Sequence, residues 1–137
     1  MAESRTHMNF VGIVYDYVCG IVPESSRSFI EVDSPDSKKK PDRTIDNFVP
    51  DVLFDAGNYL IIGEAKTPED VDRDHSLSQY TSYLMACKSH AGFSCIVVGV
   101  SWDTFIAAKN IFRKLKKELN VSTRVHILCE NGIEAEV

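Results

Sequence analysis

The chain has 137 residues, 44% hydrophobic and 26% charged, with a net charge of -5, the proportions of one globular domain able to bury a single core. No apolar run reaches the length, about 20 residues, that spans a bilayer, and no basic segment leads into an apolar stretch and a small-residue cleavage site, so neither membrane association nor a secretory signal is expected. Net negative charge disfavours a protein that coats nucleic acid, because that binding runs on lysine and arginine, but it leaves room for an enzyme that gathers divalent cations with carboxylates.

In chain order, residues 8–22 are apolar enough for a packed helix ending near Gly20 or before Pro23. A short strand is expected at 29–32. Residues 34–46 are polar and breaker-rich, a basic loop holding Lys38, Lys39, Lys40 and Arg43. Two strands follow, 49–56 and 59–66, joined by Gly57-Asn58, a two-residue hairpin signal. Thr67, Pro68 and Asp70 have the form of a helix start, with Thr67 as N-cap, and predict a helix towards Lys88 that restarts near Asp74. Residues 93–100 are almost continuously apolar, as in a central strand covered on both faces. Asp103 or Thr104 can open another helix, with Phe105, Ala108, Phe112, Leu115 and Leu119 at core-facing spacing. A last strand, 124–129, places Val125, Ile127 and Cys129 on one face. The order αβββαβαβ describes one α/β domain with a mixed sheet of about five strands and right-handed crossovers. Cys19, Cys87, Cys95 and Cys129 form no Cys-x-x-Cys pair and no zinc-ligand spacing, so free thiols and a reducing, cytoplasmic setting are expected.

The hairpin turn sets a register. With Gly57 and Asn58 as the loop, Ala56 faces Tyr59, Asp55 faces Leu60 and, counting outward, Asp51 faces Glu64. Directly opposed residues share a sheet face and side chains alternate along a strand, so Lys66 joins that face while Ile61, Gly63 and Ala65 take the other. Opposed carboxylates repel, and folding alone does not select them. A divalent cation would, since Mg²⁺ takes oxygen ligands and favours one or two carboxylates together with phosphate oxygens. Lys66 would then reach the attacking water or the scissile phosphate. The competing reading is a surface salt bridge from Lys66 to Asp51 or Glu64.

Pro50-Asp51, twelve intervening residues and Glu64-Ala65-Lys66 resemble the PD-(D/E)xK nuclease superfamily, which includes restriction endonucleases, Holliday-junction resolvases and RecB-like exonucleases. The resemblance covers residues 48–100 by motif and the rest by element order. It implies a restriction-endonuclease-like three-layer fold, with Asp51, Glu64 and the Ala65 carbonyl as ligands of Mg²⁺ (or Mn²⁺) and Lys66 positioning the attacking water. The implied products carry a 5′-phosphate and a 3′-hydroxyl. Gln79 and Tyr83, four apart on one face of the next helix, are similar to the Gln-x-x-x-Tyr motif of RecB-like members. His75 extends that stripe, and the three are candidate substrate contacts; a plain polar helix face, with Leu77, Tyr80, Leu84 and Cys87 buried opposite, would look the same. Some members add an acid from the first helix, for which Asp16, Glu24 and Glu31 are the candidates, none in a recognisable motif.

Basic residues cluster at Lys38, Lys39, Lys40 and Arg43, which precede the hairpin and are candidate phosphate guides, and at Lys109, Arg113, Lys116 and Lys117 on the helix between the fourth and fifth strands, where a solvated face is the expected reading. Trp102, closing the fourth strand, is assigned to the core or its rim, with base stacking as the alternative. The expected activity is Mg²⁺-dependent cleavage of DNA, with RNA not separated from it, by a homodimer or within a larger complex. The other reading is an inactive nuclease-fold module for nucleic-acid binding or assembly. Phosphoryl transfer on a nucleotide lacks a Gly-rich phosphate loop, and serine or cysteine hydrolysis lacks a nucleophile elbow.

Overall fold

A computed structural model describes residues 5–33 and 45–137. The basic residues Lys38, Lys39, Lys40 and Arg43 lie outside the described residues. In chain order the elements are α1 (Arg5–Ile21), a 3₁₀ turn (Glu24–Phe29), β1 (Glu31–Val32), β2 (Val52–Asp55), β3 (Tyr59–Ala65), α2 (Asp74–Ser89), β4 (Phe93–Val100), a 3₁₀ turn (Trp102–Thr104), α3 (Phe105–Leu119), β5 (Arg124–Cys129) and β6 (Glu134–Glu136).

All strands join one mixed sheet of six strands in the order β1-β2-β3-β4-β5-β6. The β3–β4 and β4–β5 pairs are parallel and the other neighbours antiparallel. Parallel neighbours need a crossover, and α2 and α3 supply the two. Their apolar sides, with Tyr80, Leu84, Cys87, Ala108 and Phe112, pack with Leu53, Ile62, Ile96, Val98 and Ile127 into one core. On the opposite face α1 buries Phe10, Val11, Val14 and Val18 against Val52, Phe54, Ile61, Ala65, Cys95 and Val97. A strand covered on both faces reads as a continuous apolar run, which is why β4 was legible.

Glycine sets how closely α1 approaches. A Cβ on Gly63 would lie 2.6 Å from Val14 Cγ1 and 2.9 Å from Val52 Cβ, and one on Gly99 would lie 2.8 Å from Val14 Cγ2. Val14 therefore seats in the notch made by adjacent β3 and β4 glycines, and this contact fixes where the start of α1 falls.

Three expectations change. The helix does not begin at Thr67: the Thr67 hydroxyl donates to the Asp70 carboxylate (3.1 Å), residues 67–73 form turns, and α2 starts at Asp74. Buried Val71, whose carbonyl accepts from the Tyr80 hydroxyl at 2.9 Å, ties down this irregular segment. The first strand is shorter than 29–32, because Phe29 closes the 3₁₀ turn. The sheet gains a sixth strand, β6, an acidic edge strand that returns through Gly132 at φ 81°. The cysteines are free, and burial pushes the thiols of Cys87 and Cys95 up to about 11 and about 12. Among the described residues, no helix is long and apolar enough to cross a membrane.

Candidate active site

The β2–β3 ladder pairs Asp55 with Leu60, Phe54 with Ile61, Leu53 with Ile62 and Val52 with Gly63, which is the register set by the Gly57-Asn58 turn. At the tip, Gly57 takes φ 75° and the Asn58 N–H returns to the Ala56 carbonyl at 2.9 Å, a γ-turn that suits glycine. One step beyond the ladder, Asp51 and Glu64 meet, close enough for each carboxyl to shift the other. They are 5% and 4% exposed, so both acids are buried.

The pair is held asymmetrically. Asp51 Oδ2 accepts the Ala65 N–H at 2.9 Å and lies 3.2 Å from His7 Nε2. Burial raises the Asp51 carboxyl, but hydrogen bonds from His7 and Glu64, the charge of His7 and the Ala65 N–H together leave it below its ordinary value. Glu64 accepts the Tyr83 hydroxyl at 2.8 Å on Oε1. Its carboxyl is raised well above the usual range, first by burial and then by the Asp51 charge and hydrogen bond, against smaller opposing effects of Lys66 and Tyr83. The physical content is a shared proton: two carboxylates in contact do not both ionise, and Glu64 is the one that keeps it.

Lys66 follows β3 on the same face, its N–H bonded to the Gly99 carbonyl at 2.9 Å. It is only 7% exposed, and its ammonium donates to the Gln79 side-chain oxygen. Among the described residues no ion pair joins Lys66 to either carboxylate. The surface salt bridge that competed with a functional role is therefore absent. A buried lysine bonded to a neutral amide is a costly arrangement for folding.

The structure brings Asp51, Glu64, Lys66, Gln79 and Tyr83 together. Tyr83 is fully buried, its ring edge-on to Phe48 at 6.5 Å, and Gln79 is also buried. His75 is exposed and stacks edge-on against Phe48 at 5.4 Å, without a bond to the acid pair. Asp16 lies elsewhere, on an open cleft with Tyr17, Leu128 and Glu134. Glu24 is exposed in the 3₁₀ turn and Glu31 is paired with Leu53. None of these three acids has a hydrogen bond or ion pair to Asp51 or Glu64 among the described residues.

His7 is the residue that sequence reasoning missed. Its signal is weak, one histidine at the start of an apolar helix, and only the seating of Val14 on Gly63 and Gly99 turns that helix end towards Asp51. Asp33 also borders the site through its N–H, which bonds the Asp51 carbonyl at 2.8 Å.

The donor chemistry fits a hard divalent cation in part. Asp51 and Glu64 offer oxygens of the right type, and strand geometry sends the Ala65 carbonyl to the same edge as its N–H, the edge where Asp51 sits. Among the described residues, however, no three or more His, Cys, Asp and Glu side chains are grouped closely enough to form a metal cage. Any cation would draw its remaining ligands from water or substrate. Comparison with family models, with curated proteins and with solved structures returned no match.

Proposed function

We propose that this chain is a Mg²⁺-dependent nuclease that hydrolyses phosphodiester bonds in DNA, on a restriction-endonuclease-like fold. The observation that carries the reading is Lys66, a buried lysine that pairs with neither adjacent carboxylate. Folding gains little from that cation or from two opposed buried acids, whereas phosphodiester hydrolysis uses both.

In this reading Asp51, Glu64 and the Ala65 carbonyl would hold the cation, which would supply charge neutralisation at the phosphate and a more acidic water. Lys66, held in place by Gln79, presents an N–H to the attacking water or the non-bridging phosphate oxygen and offsets the charge that develops there. Tyr83 orients Glu64. His7 orients Asp51 through Oδ2. Attack of the water oxygen on phosphorus would break the P–O3′ bond, and the departing 3′-oxygen would take up a proton, giving a 5′-phosphate and a 3′-hydroxyl.

The alternative, a non-catalytic module for nucleic-acid binding or assembly, draws on the incomplete donor set. A cleavage assay separates the two. Plasmid, duplex, single-stranded and branched DNA are incubated with Mg²⁺, with Mn²⁺ or with EDTA, and wild type is compared with Asp51→Ala and Lys66→Ala. Removal of one pre-placed charge-stabilising group costs on the order of 10²–10³ in rate, so both variants should lose cleavage by at least that factor. Equal cutting by the variants, or no metal-dependent cutting of any substrate, overturns the proposal.

A further inference from the structure

Trp102 is the only tryptophan of the chain and is 68% exposed, with Ile106 one helical turn on at 62%. A loose surface would leave such a side chain mobile, but this one is mounted on a braced turn. The Trp102 backbone N–H donates to Glu130 Oε1 at 2.7 Å, and the preceding Ser101 hydroxyl binds Asp103 and lies 3.0 Å from Thr104 Oγ1. The position is specific as well. Gly99 bonds Lys66, and Trp102 follows three residues later, a reach of at most about 11 Å. Both Lys66 and α3 lie on the α2-bearing face of the sheet.

Charge complements the ring. In a chain of net charge -5, α3 carries five basic residues against one acidic. Lys116 is committed to the Val137 carbonyl and Lys114 faces Glu118, whereas Arg113, which donates to the Asn110 side-chain oxygen at 3.1 Å, and Lys117 are exposed along the outer side of the helix. Ile106, Arg113 and Lys117 thus form one stripe about 16 Å long on α3, and Trp102 precedes it in the turn that leads into the helix.

We propose that this stripe is a track for an unpaired nucleic-acid strand, with Trp102 stacking a base next to the scissile phosphate and α3 following the backbone. An exposed indole stacks on the face of an unpaired base, which a paired duplex keeps covered, and cations spaced along a helix suit a flexible phosphate chain. The inference rests on the nuclease reading and narrows its substrate to DNA with a single-stranded end, flap or gap.

The test uses the full chain in EDTA, so that binding is read without cleavage. Oligothymidylate should quench the Trp102 emission saturably, and a blunt duplex of equal length should not. By anisotropy of a labelled oligonucleotide, Trp102→Ala should weaken strand binding about 10- to 100-fold and Trp102→Phe should restore most of it. Combined Arg113→Ala and Lys117→Ala should lower the salt dependence by roughly 1.4 in log–log slope. Melting curves of the variants should match wild type, because these side chains are exposed. Equal quenching by duplex, no binding of either oligonucleotide, or unchanged affinity in Trp102→Ala overturns the track. A change in sedimentation of Trp102→Ala also overturns it, by showing the patch to be a contact between copies. Metal-dependent cleavage measured in parallel keeps the two claims apart: cleavage without quenching defeats the track alone, and quenching without cleavage defeats the nuclease alone.

Discussion

Glu64→Gln should stabilise the metal-free protein at neutral pH and remove a specific part of its pH dependence. The raised Glu64 carboxyl keeps its proton in the folded state, whereas in the unfolded chain a glutamate ionises near pH 4.3. Between those two values the native state binds one more proton than the unfolded state, so stability falls as pH rises. The slope for one proton is at most about 1.4 kcal/mol per pH unit. For a chain of this size that corresponds to roughly 4–6 °C in Tm for each pH unit. Glutamine preserves the shape, still accepts from Tyr83 and can donate an amide N–H to Asp51, but has no proton to lose. Asp51 does not obscure the effect. Its lowered carboxyl contributes stability that is present above its unfolded value, near pH 3.9, and is lost only as pH falls further. Thermal melts of both proteins in EDTA between about pH 5 and pH 7 provide the measurement, and their difference cancels other titrating groups, His7 included. Parallel profiles, or a Glu64→Gln protein less stable than wild type at pH 7, would refute the shared-proton account.

Two other perturbations test how the site is assembled. His7→Ala removes the imidazole 3.2 Å from Asp51 and should weaken Mn²⁺ affinity about 10- to 100-fold, as loss of an orienting partner does; calorimetric titration reads this directly, and unchanged affinity removes His7 from the site. Gly63→Ala introduces a Cβ 2.6 Å from Val14 and should cost about 1–3 kcal/mol by overpacking. If Gly63 also aims α1 at the site, that variant should lose Mn²⁺ affinity to a similar extent as His7→Ala. Denaturant unfolding and calorimetry together separate those effects.

The parts of the site legible in the sequence were those fixed by local geometry. A short turn at Gly57-Asn58 sets the pairing of every residue on both arms, so Asp51 opposite Glu64 follows by counting. Helical period likewise puts Gln79 and Tyr83 on one face of α2. The parts missed depend on packing between distant segments. His7 is 44 residues from Asp51, and nothing local distinguishes it from any polar residue at a helix start. Thr67 misled for the opposite reason, since its capping pattern is sound locally but its hydroxyl binds the Asp70 side chain and buried Val71 holds the chain out of helix. Trp102 was assigned to the core or rim by residue type, and the braced turn that holds it outward involves Glu130, 28 residues later. The short β6, acidic and at the sheet edge, lacked the apolar alternation that announces a strand, and charge on an edge strand is a common way to prevent edge-to-edge pairing.

If the chain is the nuclease proposed above, charge balance offers a reason for a negative protein to act on a polyanion. In the metal-free site the two acids share one proton and so carry one negative charge beside the Lys66 ammonium. Replacing that proton by a divalent cation would make the site more positive by one charge, the complement of one phosphodiester. In that reading the cation adds affinity for the phosphate beside it to the affinity that the α3 stripe supplies on its own. Below the Glu64 titration, Mn²⁺ affinity should therefore rise about tenfold per pH unit, because binding releases one proton; a pH-independent affinity in Glu64→Gln, weaker but flat, would identify that proton as the one Glu64 shares with Asp51.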